Sequence, residues 1–491
     1  MKLLWGDIHN HCGITYGVGS LENALINASR QLDFCSVTPH AFWPDMPARC
    51  DETAYICDFH ERGFAKIEEH WDDYISTMEK ANRPGTFTTF FSFEMHSSRW
   101  GDHTFLSPDK MLRMIKKEIP AEVVDATPHK LIAIPHHIGY TPGYRGICWD
   151  GFDPEISPVI EVCSKHGCAM SDNSRLQYYH DMGPLDPRNT VYQGLSDGHR
   201  FGFIGSTDHH AGYPGSYGDG KMAVLAESNT REAIWDAIKD RRCYAVTGNK
   251  IKCKFNVNGC DMGGITERKT AKITYSVEAS DAVDRIIIFR NLMPVHAVYG
   301  LSLPGSGRRY KIRIELGWGG NNEPYHWHVD IKADNGSIEN VESCFRGKNF
   351  LSPTQKLNCE DESNINRPTD RIISVDEQAV SFECGTVRNV STLHPSTSGI
   401  VLEVEGGLDT RLTFDINGHV LVRTIKELLK NGLTGHMKPY NSQAYKIHTA
   451  VPSGKYIFEG SFIDYDPGTI YHMEVRQCNG DEAFISPVFM I

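Results

Sequence analysis

The sequence predicts an α/β domain built on a barrel of parallel strands, followed by an all-β, sandwich-like domain. Two observations carry this expectation. Up to Gly248, short apolar runs alternate with helical patterns; from Lys250 onward, short segments of alternating polarity follow one another between turn signals. Length agrees, because 491 residues exceed one core of ordinary size. The expected division is 1–250 and 251–491, with the boundary near residues 248 to 252.

Lys2 to Ile8 reads as the first strand. Ser20 then caps a helix whose Leu21, Ala24, Leu25, Ala28 and Leu32 share one face. Phe34 to Thr38 is the next strand, and Phe87 to Glu94, rich in β-branched and aromatic residues, is another. Ser107-Pro108 opens an expected helix through Met111 and Ile115, with proline where a missing N–H costs nothing. Strands are expected at Leu131 to Pro135, Val159 to Val162 and Phe201 to Gly205. A helix from Asn229 to Arg242 has Glu232 in capping-box position and Ile234, Trp235, Ala237 and Ile238 on its apolar side. Strands alternating with helices imply a parallel sheet, and their number favours a closed one. In the second half, strands are expected at Ala271 to Ala279, Arg285 to Arg290, Arg309 to Leu316, His326 to Ala333 and Tyr471 to Gln477. Turns fall at Asn335-Gly336 and Asn479-Gly480, and one helix around Arg423 to Lys430.

Composition narrows the function classes. Hydrophobic residues make up 40% and charged residues 23%, the balance of a globular protein. A net charge of -12 without a basic stripe argues against a nucleic-acid partner. No run of roughly eighteen apolar residues occurs, so no membrane-spanning helix is expected. Leu3, Leu4 and Trp5 lead straight into Gly6 and Asp7, leaving no apolar core for a signal peptide. The fourteen cysteines lack a CxxC pair, and reduced thiols in a cytoplasmic setting are the expectation.

The chemistry concentrates in histidines and acids at the ends of predicted strands. His9 and His11 close the first strand two residues apart, so their rings point to one side and can pinch a metal ion. Asp208 and His210 repeat that spacing after Phe201 to Gly205. Between them lie His40, Glu94, His103 and the pair His136-His137, each following a predicted strand or its loop. In a parallel barrel such positions converge on one rim, where barrel enzymes keep their sites. Imidazole and carboxylate together suit zinc, manganese or iron(II). Cys163, Lys165 and His166 follow the strand carrying Glu161 and are candidates for the pocket wall. His326, Trp327 and His328 also alternate, but no ligand pattern surrounds them, and they read as plain strand residues.

This order of motifs resembles the PHP family, the polymerase and histidinol phosphatase domain. Gly205 to Gly212, Asn229 to Ala237, Tyr244 to Gly248 and the closing Tyr471 to Pro487 are similar to a bacterial branch of PHP-type metallohydrolases, whose relatives include carbaryl-hydrolase-type enzymes. The resemblance implies a distorted (β/α)7 barrel with two or three divalent ions. His9, His11, Glu94 and Asp208 would hold the first; Glu94 would bridge to a second held by His103 and His136; His40 and His210 would serve a third. Two departures leave the count open. Cys12 to Gly17 lack the aspartate or histidine usual after HxH, and the usual Thr-Asp-His is Thr38-Pro39-His40. With two ions, His40 and His210 are free for substrate or proton transfer. His137 competes with His136 as ligand, and His96 with His103.

The implied reaction is hydrolysis by metal-activated water, with Asp208 orienting it and His40 and His210 assisting. Arg99, Arg145, His209 and His166 are candidates for binding substrate. Phe42, Trp43, Trp100, Tyr140, Tyr144 and Trp149 give the rim loops an aromatic character. An ester, carbamate or amide of a small, partly aromatic molecule is the first expectation and a phosphoester the second. The third is a non-catalytic, metal-stabilised protein that binds a glycan or partner. The partner is a small-molecule substrate rather than a nucleic acid or membrane, and a homo-oligomer is compatible with the sequence.

Overall fold

In the computed structural model, the described residues are 1–178, 182–302, 305–319, 324–348, 365–387 and 395–491. They form a mixed α/β molecule with many strands and few helices. A ten-stranded sheet runs in the order Met293–Tyr299, Val283–Arg290, Ile470–Gln477, Glu482–Met490, Cys243–Val246, Lys221–Ala226, Lys2–Asp7, Phe34–Cys35 and Thr88–Thr89, with Ile265–Thr266 beside Glu482–Met490. It therefore continues across position 250. Gly6 lets Lys2–Asp7 approach its neighbour, since a Cβ there would lie 2.2 Å from the Phe34 ring.

Two smaller sheets complete the first half. One orders His40–Phe42, Phe91–Met95, His103–Ser107 and Ile132–Pro135; the other orders Gly202–Gly205, Val159–Ser164 and Gly167–Cys168. Leu4, Phe34, Leu106, Ile134, Val159, Ile204 and Val224, drawn from all three sheets, share one buried cluster. The strands thus surround a common core, although the three sheets are not joined edge to edge among the described residues.

The expectation of an all-parallel sheet is corrected here. Lys2–Asp7 is parallel to Phe34–Cys35 and His40–Phe42 to Phe91–Met95. Lys2–Asp7 is antiparallel to Lys221–Ala226, and Phe91–Met95 to His103–Ser107. The cause in the second case is loop length: residues 96–102 are too few for a parallel crossover, which takes a dozen or more.

Local signals explain the helices. Ser20 caps Leu21–Ser29 by accepting from the Asn23 N–H, and Thr230 caps Arg231–Lys239 through the Ala233 N–H. No helix forms at 108–115. The Ser107 hydroxyl instead bonds both the N–H and the carbonyl of Asp109, whose carboxylate accepts from the Lys130 N–H. Helix Pro120–Ala126 forms later, again with proline at its start. The sequence reading also passed over Ala54–Ala81, whose Cys57, His60, Ile67, Trp71, Tyr74 and Met78 recur at helical spacing on a buried face.

In the second half, Cys260–Asp261, Lys252–Val257, Ala271–Glu278 and Ile457–Asp464 form a four-stranded sheet. Its Phe255, Ile273 and Val277 share a core with Ile286, Ile288, Met473 and Val475 of the ten-stranded sheet. A nine-stranded sheet follows, centred on the long strands Tyr325–Ser343 and Ser398–Ile416 with Arg309–Gly317 and Ala444–Ile447 beside them. Asn335-Gly336 is not a hairpin turn. It lies inside Tyr325–Ser343 as a bulge, with Asn335 at φ 61°. Asn479-Gly480 does turn the chain, Gly480 at φ 93°, and Thr424 and Glu427 form a capping box at Ile425–Lys430. Among the described residues no helix is long and apolar enough to cross a membrane.

Candidate metal centre

Backbone hydrogen bonds fasten the two spaced pairs together. The Asp208 N–H donates to the His9 carbonyl at 2.8 Å, the His11 N–H to His209 at 2.8 Å, and the Gly212 N–H to His11 at 3.0 Å. Beneath them the Asp7 carboxylate accepts from the Thr207 hydroxyl at 2.6 Å and the Gly215 N–H at 2.9 Å. Burial raises the Asp7 pKa to about 6 despite those bonds. Asp208 is held at φ 49°, a conformation that only a well-braced loop imposes on a non-glycine residue.

Sheet register brings in the rest. His40 and Glu94 are paired across two parallel strands. One Glu94 oxygen lies 3.4 Å from His40 Nε2, 3.5 Å from His11 Nε2 and 3.8 Å from His9 Nε2. The other lies 3.1 Å from His136 Nε2 and 3.3 Å from His96 Nδ1. Asp208 mirrors this arrangement. Its Oδ1 is 3.0 Å from His11 Nε2 and 3.5 Å from His9 Nε2, and its Oδ2 is 2.9 Å from His166 Nε2 and 3.3 Å from His137 Nε2. None of these residues is more than 7% exposed.

A second layer orients the rings. His11 Nδ1 donates to the Thr38 carbonyl at 2.6 Å and His9 Nδ1 to Glu161 at 2.8 Å, which turns both Nε2 atoms inward. His40 Nδ1 contacts the Thr15 hydroxyl at 3.2 Å, and His96 lies between the Tyr16 hydroxyl at 2.8 Å and Asp102 at 3.1 Å. Arg145 in turn clamps Asp102 through Nε at 2.8 and 3.1 Å.

Burial opposes ionisation of Glu94 and Asp208, yet the surrounding imidazoles hold both well below the usual carboxylate range. Burial, reinforced by neighbouring rings, keeps His40, His137 and His210 well below the usual imidazole range. These are neutral imidazoles, the form that binds metal. His9 is the opposite case: Glu161 and Asp208 overcome burial and raise it.

The donor set fits divalent cations. His11, His40 and His210, His9, His11 and Asp208, His9, Glu94 and His136, and His40, Glu94 and His96 each bring ligand atoms within 4.8 Å of one another. His9 Nε2, Glu94 Oε2 and Asp208 Oδ2 are buried without a hydrogen bond of good geometry. Buried polar atoms left so cost roughly 1–3 kcal/mol each, and more when charged, whereas coordination to a divalent cation satisfies such an atom.

The structure thus gathers His9, His11, His40, Glu94, His136, His166, Asp208 and His210. It does not bring in His103, whose ring nitrogen donates to the Gly101 carbonyl at 2.9 Å. The reason is register: Glu94 is opposite Thr104 and Met95 opposite His103, so His103 shares the face of Met95. Burial lowers its pKa to about 4. His96 occupies the expected place. Both members of the 136–137 pair reach the cluster, because the strand ends at Pro135 and His137 turns to φ 50°. Arg99 is exposed, stacked 4.7 Å over Trp100. His209 turns aside, accepting from the Ala211 N–H at 3.2 Å and packing on Tyr213. His326 and His328 face outward, paired with Glu383 and Asp330. Asp102, Tyr16 and the ligand-orienting role of Glu161 were missed. Glu161 left a signal, a single charge inside the apolar run Val159-Ile160-Glu161-Val162.

Residues 215–280 match a family described as a protein of unknown function, DUF3604. An uncharacterized protein of Chlamydia pneumoniae is 30% identical over 145 residues, 28% of this chain and 23% of that protein. One of Chlamydia muridarum is 27% identical over 195 residues, 35% of this chain and 31% of that protein. The chain spans less than a third of the length of these relatives. Among solved structures, a two-domain protein of Bacteroides vulgatus containing a predicted PHP-like metal-dependent phosphoesterase is similar at 14% identity and a TM-score of 0.32, covering 60% of this chain and 85% of that one.

Proposed function

We propose that the chain is a metal-dependent hydrolase of the PHP type, with a distorted (β/α)7 barrel as its first domain and a small molecule as its substrate. One observation carries the reading: two buried carboxylates, Glu94 and Asp208, face imidazole nitrogens at 2.9 to 3.8 Å and each keeps an oxygen without a good hydrogen bond. His9, His11, Glu94 and Asp208 would hold one divalent ion, zinc, manganese or iron(II). Glu94 with His136 and His96 would hold a second, and His40 and His210 would serve a third or assist the reaction. A bound divalent cation supplies Lewis acidity, activating water and polarising the scissile group.

The chain's own residues supply orientation and proton transfer. Thr38 and Glu161 fix the His11 and His9 rings. Asp208 orients the attacking water by accepting a hydrogen bond from it while His166 Nε2, 2.9 Å from Asp208 Oδ2, donates to the same carboxylate, and the neutral ring of His40 or His210 receives the proton of the water. Arg145 holds Asp102, and Asp102 holds His96.

An ester, carbamate or amide is the favoured bond. Arg145 is committed to Asp102 and Arg99 to the surface, so neither guanidinium is placed as a phosphate grip. A groove of about 520 Å³ has Phe42, Trp43, Pro44 and Phe64 on one wall and Lys116, Lys117, Glu118 and Glu122 on the other, the Trp43 ring 5.6 Å from that of His96. The aromatic wall suits an apolar or ring portion. Phosphoester hydrolysis is the second reading, supported by the carboxylate between two ligand groups, an arrangement equally suited to phosphoryl transfer.

Metal analysis with aryl esters, carbamates and aryl phosphates tests both. Metal-replete protein is expected to cleave one class, and Glu94→Gln to lose metal and roughly 100-fold or more in kcat/KM. If nothing is cleaved and His9→Ala leaves binding of a glycan or protein partner intact, the hydrolase reading fails and a binding protein replaces it.

A further inference from the structure

Strand alternation builds a second polar site far along the chain. Tyr310, Ile312, Ile314 and Leu316 of Arg309–Gly317 enter one buried core, so Lys311 and Arg313 point to the other face of the nine-stranded sheet. The adjacent Ala444–Ile447 repeats this, with Tyr445 and Ile447 in the core and Lys446 and His448 on the far side. That face meets the first half of the chain, where the Arg313 guanidinium lies 5.0 Å from the Tyr217 ring. A cavity of about 550 Å³ remains at the junction, lined by these four side chains together with Asn249 and Asp281. It shares no residue with the metal cluster.

The basic groups around it are only partly answered by pairing within the chain. Glu315 answers His448 at 2.8 Å and Arg313 at 3.5 Å, and Glu278 lies 3.5 Å from Lys311. Among the described residues Lys446 has no ion pair, and neither has Asp281, whose carboxyl pKa is raised by burial. Concentrating cations in a partly closed space is unfavourable unless an anion accompanies them.

We propose that this cavity binds a small organic anion bearing hydroxyl groups, its carboxylate or phosphate held by Lys446, Arg313 and Lys311 and a hydroxyl donated to Asp281. The volume is that of an ordinary small-molecule site. The two anion types share one recognition chemistry, charge-assisted hydrogen bonds from lysine and arginine.

Isothermal titration calorimetry with citrate, glucose 6-phosphate and uncharged glucose tests the site and tells the two anions apart. One of the anions is expected to bind and glucose not to. Lys446→Glu is expected to weaken binding at least about tenfold and Lys446→Ala about fivefold, with circular dichroism verifying that each is folded. Asp208→Asn, altered only at the metal cluster, is expected to bind as the parent does. The proposal is overturned if neither anion binds up to about 10 mM, if glucose binds equally well, if both folded Lys446 variants keep full affinity, or if Asp208→Asn abolishes binding.

Discussion

Register decides which histidines serve the cluster. His103 and His96 carry the same side chain seven positions apart, yet only His96 lies against Glu94, at 3.3 Å. His103→Ala is therefore expected to keep its metal and remain within about threefold of the parent rate, whereas His96→Ala loses metal and falls roughly tenfold or more. Metal content and kcat/KM of the two variants check this, and equal losses would refute the assignment. The spaced pairs His9/His11 and Asp208/His210 were legible because a two-residue period places side chains together whatever the fold. The 96/103 choice was not, because it depends on which residue of one strand faces Glu94 of another. Of the 136–137 pair the expected His136 lies against Glu94, and His137 also reaches Asp208 because it leaves the extended conformation.

Elements were legible where a local signal fixed them. Ser20 and the helix around Arg423 to Lys430 were readable, and in each a hydroxyl side chain accepts from the backbone N–H three residues on. Ser107-Pro108 carried the same kind of signal, but the serine hydroxyl is engaged by Asp109. Helix Ala54–Ala81 shows how an element serves the centre without supplying a ligand. Gly63 lies against Tyr16, and a Cβ there would come within 2.2 Å of Tyr16 Cδ1. The Tyr16 ring is stacked 3.8 Å from that of His40, with its hydroxyl on His96. Gly63→Ala should gain up to about 1 kcal/mol in helix propensity and lose about 1–3 kcal/mol to overpacking. The expected net result is a lower Tm by thermal melting, with weaker metal retention as Tyr16 shifts.

At the scale of the whole molecule, mixed α/β character and the change in texture near residue 250 were visible in the sequence, but strand order was not. Nothing local announces that Glu482–Met490 will lie beside Cys243–Val246, pairing Ile485 with Tyr244. A fragment of residues 1–250 is therefore expected to be unfolded by circular dichroism. It lacks Phe484, Ile485, Val488 and Phe489, all buried. At about 1.5–3 kcal/mol each, their loss rivals the roughly 5–15 kcal/mol by which a domain is stable. The junction between the halves also responds to acid. Burial raises the Glu315 pKa, but the hydrogen bond from His448 and the charge of Arg313 bring it down to about 2 from an ordinary 4.5. Its contribution is thus fully present above pH 4.5 and is lost as pH falls from 4.5 towards 2. Urea unfolding at pH 6 is expected to show Glu315→Gln less stable by on the order of 2 kcal/mol, a gap that narrows towards pH 3.

The place of Glu482–Met490 in the ten-stranded sheet also bears on how the protein is made. While the ribosome is still translating, the polypeptide already outside the exit tunnel contains every imidazole of the cluster but not the strand that flanks Cys243–Val246. Nascent molecules stalled before residue 482 should then be readily digested by protease, and capture of the ion would wait until that strand has emerged.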